Sequence, residues 1–254
     1  MPDNSPKRIQ AASFLPLSMI DENESFDEMK VEEDGEFFEK LTPDRLTVLA
    51  EAGFHEQVDV ARLTVEGRAT FTDKVSCDSF LCEGASTLKS GLTCEEAVIP
   101  GDTVCYGNMH SDKVLVRGKL NVMGKLSTID LDVAGSITGS GKVVADDVNI
   151  TGSGTFMNLL RAINVTFKAN GTTSEATSIK CEVLTVKSVV ADPVECVLRC
   201  DHVTCDYADL SYCEIDRVMC EEADIGPGCR IRLLEVHDDP VIGEDSVVET
   251  IEYI

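Results

Sequence analysis

A glycine returns every 17 residues through the middle of this chain, at Gly67, Gly84, Gly101, Gly118, Gly135 and Gly152. A fixed period held over that many repeats outranks any local propensity, because it means stacked copies of one unit. Other columns keep the same beat. Four residues before each glycine stand Leu63, Phe80, Ala97, Val114, Leu131 and Val148; two before it stand Val65, Cys82, Ile99, Val116, Val133 and Ile150. Four after it come Phe71, Leu88, Cys105, Val122, Gly139 and Phe156. Eight and ten after it come the pairs Val75/Cys77, Leu92/Cys94, Met109/Ser111, Leu126/Thr128, Val143/Ala145 and Leu160/Ala162.

Within a pair the spacing is two, the strand period. Three short strands per unit, each lending side chains to the middle, predict an all-β, single-stranded, three-sided β-helix. The residues just after the −2 column support that register: Glu66, Glu83, Pro100, Arg117, Ala134 and Thr151 are mostly polar and read as outward. Leu81, Val98, Leu115 and Val144 break the pattern and read as a shallow apolar stripe. A helix would not hold period-two pairs inside such a repeat. The glycines are expected at the corner between the first and second strands, with positive φ as the reason for glycine.

Outside the regular region the reading is local. Residues 1–40 read as an acidic, disordered tail, with ten carboxylates and one lysine between Asp21 and Glu39. Its Phe26, Met29, Val31, Phe37 and Phe38 are the residues by which such a tail docks. Thr42-Pro43-Asp44, followed by Leu46, Leu49 and Ala50 and stopped by Gly53, predicts a short capping helix within 41–60. The β-helix is then expected over 61–230 and a C-terminal capping coil or strand over 231–254. Past Val165 the register slips: Ala169 with Asn170-Gly171, then Ser188, imply two 18-residue coils. In all, about ten coils predict a rod of about 45–50 Å.

The net charge of −24 speaks against nucleic-acid phosphates and anionic membranes as partners. No stretch approaches the roughly 20 apolar residues of a membrane span. Lys7 and Arg8 precede only a brief apolar patch, Phe14 to Ile20, broken by Pro16, which is no secretory pattern. The eleven cysteines therefore read as reduced thiols in the cytoplasm, and Cys77, Cys82, Cys94 and Cys105 fall on inward positions where a small apolar residue packs. The one cluster with another reading is Cys196, Cys200 and Cys205 with His202, a candidate metal set. His55, His110, His202 and His237 share no coil position, and the glycine-rich Gly135–Gly141 lacks the order of a phosphate loop. No catalytic residue, cofactor or metal is assigned.

The coil phrases Val133-Ala134-Gly135-Ser136-Ile137-Thr138-Gly139-Ser140-Gly141-Lys142-Val143 and Ile150-Thr151-Gly152-Ser153-Gly154, with the 17-residue cadence, resemble those of the bactofilins, the polymer-forming cytoskeletal proteins. Ile225-Gly226-Pro227-Gly228-Cys229-Arg230-Ile231 followed by Leu233-Leu234-Glu235-Val236 is similar to the tail of longer cytoplasmic Gram-positive members. The resemblance implies a right-handed β-helix that polymerises end to end without nucleotide, as a scaffold for other cytoskeletal or envelope-associated proteins. The expected self-assembly residues are Val60, Leu63, Phe71, Ile225, Ile231, Leu233, Leu234 and Val236. Two alternatives stand beside it: a monomeric solenoid binding module, and a left-handed β-helix acyltransferase, whose hexads Ile225-Gly226 and Ile242-Gly243 imitate.

Overall fold

The computed structural model describes residues 28–169, 171–189 and 196–254. Over these residues the chain is all β: strands from Glu28–Val31 to Val247–Tyr253 form one continuous parallel sheet, wound into a solenoid of about 13 turns. Three stretches of each turn pair with the same stretches of the next. In mid-rod, Lys113–Val116 lies beside Asp130–Val133, Lys119–Val122 beside Ser136–Gly139, and Leu126–Ser127 beside Val143–Val144. At roughly 4.8 Å per turn the stack is about 60 Å long.

The period-two columns fill the interior. All five columns named from the sequence are buried along their whole length. A further column lies two residues after each glycine: Ala69, Ser86, Thr103, Leu120, Ile137 and Gly154. Its small and polar members hide it in the sequence. They are tolerated because their hydroxyls are satisfied: Ser86 and Thr103 bond each other at 2.9 Å, one turn apart. Ser111 and Thr128, in the column ten after the glycine, donate instead to the carbonyls of Lys113 and Asp130 at 2.8 and 3.0 Å. Toward the N-terminus the column four after the glycine widens to aromatics, and Phe37, Phe54 and Phe71 stack with centroids 5.0 and 4.9 Å apart.

The corner glycines are required for a different reason from the one expected. None has positive φ; among the described glycines only Gly91, Gly171 and Gly228 do. What excludes a side chain is the turn beneath. A Cβ on Gly84, Gly101, Gly118 or Gly135 would lie 2.0–2.1 Å from the carbonyl oxygen of the preceding corner glycine. The corner is closed by one carbonyl that accepts two N–H groups, as Ile99 O does from Arg117 and Gly118, each at 2.9 Å. A second ladder, Gly107, Gly124 and Gly141, is crowded in the same way against Ser90, Gly107 and Gly124.

Four expectations are corrected. The capping helix is absent: Arg45–Val48 and Glu51–Phe54 are strands that pair with Arg62–Val65 and Arg68–Phe71. Thr42-Pro43-Asp44 turns into a strand, and Leu46, read as one side of a helix, is buried while Leu49 is 40% exposed. Residues 28–40, read as part of the tail, form the first described turn, with Met29 and Val31 buried in Glu28–Val31 and Phe37 on Phe54. Residues 1–27, including the Phe14–Ile20 patch and Phe26, lie outside the described residues. These early turns raise the count above ten. Finally, the two 18-residue coils are unequal: Asp147 pairs with Asn164 at an offset of 17, Asn164 with Val183 at 19. Asn170, placed at that corner, also lies outside the described residues.

After Val183 the turn length changes again, while the described inward stretches stay in register. Val183 pairs with Tyr207, and Tyr207 with Glu222, offsets of 24 and 15. Leu184, Ala208 and Ala223 remain one buried ladder through both changes.

Candidate interaction surfaces

The cysteines are structural in placement. Ten of the eleven are buried and Cys196 is partly exposed. Cys77 stacks below Cys94, and the sulfurs of Cys213 and Cys229, one turn apart, are 3.4 Å from each other. Burial pushes the Cys105 thiol up to about 11 and the Cys200 thiol up to about 12, so both are neutral thiols at physiological pH. The candidate set Cys196, Cys200, Cys205 and His202 does not converge. Cys200 and Cys205 point into the core while His202 faces outward on the same strand. Among the described residues no group of three or more His, Cys, Asp or Glu is placed to hold a metal ion.

The four histidines are all exposed and lie on separate turns. His55 bonds the carboxylate of Glu36 at 2.7 Å and stacks on Phe38 at 4.4 Å, which accounts for both exposed side chains. An open depression on the side of the rod is lined by Asp44, Arg45, Ala61, Arg62, Asp78 and Ser79. Arg45 and Arg62 are stacked on one ladder, with Asp44 and Asp78 on the ladder beside it.

The sides of the rod carry two narrow apolar lines. Leu81, Val98 and Leu115 stack in register and are half-buried; Val144, grouped with them from the sequence, sits on a different ladder opposite Ser127. Tyr106, Met123 and Met157 form an exposed line at a corner, with Ser140 between the last two. It escaped notice because it occupies the position after an inward column, where polar residues are the rule.

The two ends differ. In the first described turn most inner-column residues are covered: Met29, Val31 and Leu41 are at most 8% exposed, while Phe37 is half-buried. In the last turn they are not. Val248, Ile251 and Tyr253 continue the columns of Ile231, Leu234 and Val236, yet Ile251 is 37% exposed and Tyr253 62%. Ile242 and Val247 are exposed beside them. The residues expected to form the assembly surface lie elsewhere. Val60, Leu63, Phe71, Ile225, Ile231, Leu234 and Val236 are core, sandwiched between turns, and Leu233 is half-buried. Turns on both sides cover them: Glu28–Val31 and Arg45–Val48 stack before Val58–Val65, and Val247–Tyr253 stacks after Arg230–Val236.

Charge sharpens the asymmetry. From Leu233 to Ile254 the sequence has seven carboxylates and neither Lys nor Arg. Among the described residues only Glu235 is paired, by the Arg217 guanidinium, which holds its carboxyl below the usual range. The first described turn, too, carries more carboxylates than cations, with Glu32, Glu33, Asp34, Glu36 and Glu39 against Lys30 and Lys40. No described helix is long and apolar enough to cross a membrane. No family model, curated protein or solved structure matches the chain.

Proposed function

We propose that this chain is a non-enzymatic cytoplasmic scaffold of the bactofilin kind, a three-sided, right-handed rod that joins end to end through its last turn without nucleotide. The observation that carries this is the contrast in inner-column exposure between the two ends. Three paired stretches per turn support a three-sided cross-section, and right-handed winding is the general habit of parallel crossovers. An apolar cross-section edged by a singly paired strand is an assembly surface by its physics, since exposed columns and unpaired N–H and C=O groups are relieved only by another chain.

Copies of this chain meeting at such ends bring like charge together, so association should strengthen as salt screens it; the Debye length falls from about 10 Å at 0.1 M to about 3 Å at 1 M. Sedimentation velocity and negative-stain microscopy from low to molar salt test this. Growth to dimers or longer rods, abolished by Ile251→Asp, is the expected result. A monomer at every salt and concentration would refute self-association.

A second reading, a binding module for another protein, is favoured by the acidity of the same end.

A further inference from the structure

The last turn combines an edge, an apolar line and a charge, and together these specify an occupant. The edge is Val247–Tyr253, paired on one side by Arg230–Val236 and on its other side by no described strand. Such an edge templates an extended segment through its backbone. The apolar line is Val248, Ile251 and Tyr253, spaced i, i+3, i+5, the same spacing as Ile231, Leu234 and Val236 beneath. Any segment that seals the core must repeat that spacing.

The charge comes from six carboxylates, Asp238, Asp239, Glu244, Asp245, Glu249 and Glu252. None forms an ion pair among the described residues, and Asp239 only accepts the Tyr253 hydroxyl at 3.1 Å. The nearest cations lie one and two turns back: Arg230, opposite Val247, is one positive charge against these six carboxylates, while Arg232 is 3.8 Å from Asp216 and Arg217 is bound to Glu235. A second copy answers this charge poorly. Its own last turn has no cation, and its first described turn is acidic with its inner columns, Phe37 apart, already covered.

We infer that the last turn is a docking edge for an extended cationic segment of a different protein, with apolar residues at i, i+3 and i+5 and Lys or Arg between them. Its backbone extends the ladder beyond Val247–Tyr253, its apolar side chains cover Val248, Ile251 and Tyr253, and its cations neutralise Glu249 and Glu252 with their neighbours. The inference rests on reading the last turn as the assembly surface and adds the chemistry of what assembles there.

The test uses the 254-residue chain and a labelled peptide, Lys-Val-Lys-Lys-Ile-Lys-Val-Lys, with its Lys-to-Glu counterpart, in low salt. Fluorescence anisotropy should show the cationic peptide bound and the acidic one not. Amide exchange should slow over 247–253, and the free chain should sediment as a monomer. The double variant E249Q/E252Q, altered only at exposed side chains, should bind about tenfold more weakly, about threefold per exposed pair lost. Equal binding of both peptides, or binding without protection of 247–253, overturns the inference. Dimerisation through the last turn in low salt without peptide also overturns it, making a second copy the occupant while end assembly stands. Neither binding nor association under any condition removes both readings.

Discussion

Gly118→Ala isolates the feature that fixes the repeat. The added Cβ would sit 2.1 Å from Gly101 O and 2.3 Å from Pro100 O, both backbone atoms that cannot swing aside. Ordinary contact starts near 3.5 Å, so the corner must open by about 1 Å or more out of a spacing of roughly 4.8 Å. Three hydrogen bonds cross that gap: Arg117 and Gly118 N–H to Ile99 O, and Lys119 N–H to Gly101 O, each 2.9 Å. Stretched by an ångström they fail, at about 1 kcal/mol apiece. Restriction of the unfolded chain returns about 0.4–1 kcal/mol. The net expectation is a loss of about 2–3 kcal/mol. Gly171→Ala is the control. There φ is 78° and nothing lies within 4 Å, so the penalty is left-handed backbone alone, about 1 kcal/mol after the same offset. Urea denaturation followed by far-UV circular dichroism gives both values. A Gly118→Ala protein within about 0.5 kcal/mol of wild type, or one more stable than Gly171→Ala, would refute crowding by the turn below as the origin of the glycine ladder.

Val133→Asp, at a fully buried position, should abolish cooperative unfolding or cause aggregation, since an unpaired buried charge costs several kcal/mol, whereas Thr151→Asp on the exposed face should shift the urea midpoint little. In the native state a thiol reagent should titrate about one cysteine rapidly, Cys196, and all eleven once the chain unfolds. Cys105 and Cys200 ionise near 9.0 when unfolded and near 11 and 12 when folded. The unfolded state therefore sheds protons first, and their contribution to stability, intact below pH 9, should drain away as pH climbs to about 11–12; Cys105→Ala should flatten that alkaline decline. Glu235 shows the opposite sign. Its carboxyl is held below 4.5 by Arg217, so the pair's stabilisation is present above that pH and lost as pH falls through the lowered value, and Arg217→Met should make acid unfolding less steep over that range.

The regular turns were legible because one residue, glycine, is demanded by backbone crowding at one position, and crowding repeats with the stack. Where a turn tolerates something else, the signal fades. Ala50 stands at the corner one turn before Gly67, so the first turns lost their marker, and Thr42-Pro43-Asp44 supplied a false helix start. The signal that would have found them is present: Leu46, Val48 and Phe54 each lie 17 residues before Leu63, Val65 and Phe71. Past Val165 the offsets between paired turns run from 15 to 24, which breaks the count, and Ser174–Lys180 adds a register shift against Ser153–Arg161. The ends were the least legible. Whether Ile231 or Ile251 closes the rod depends on the number of turns stacked beyond it, and no local pattern states that number.

The direction of the hydrogen bonds has a mechanical consequence. In this solenoid they run along the rod, from each turn to the next, so axial tension pulls directly on them. Among the described residues the last strand is held from one side only, and load would peel it before any interior turn. Each turn released is a 17-residue loop that pays out about 55 Å of slack. A rod built this way yields in steps from its open end, and whatever seats on Val247–Tyr253 sets the force at which the first step begins.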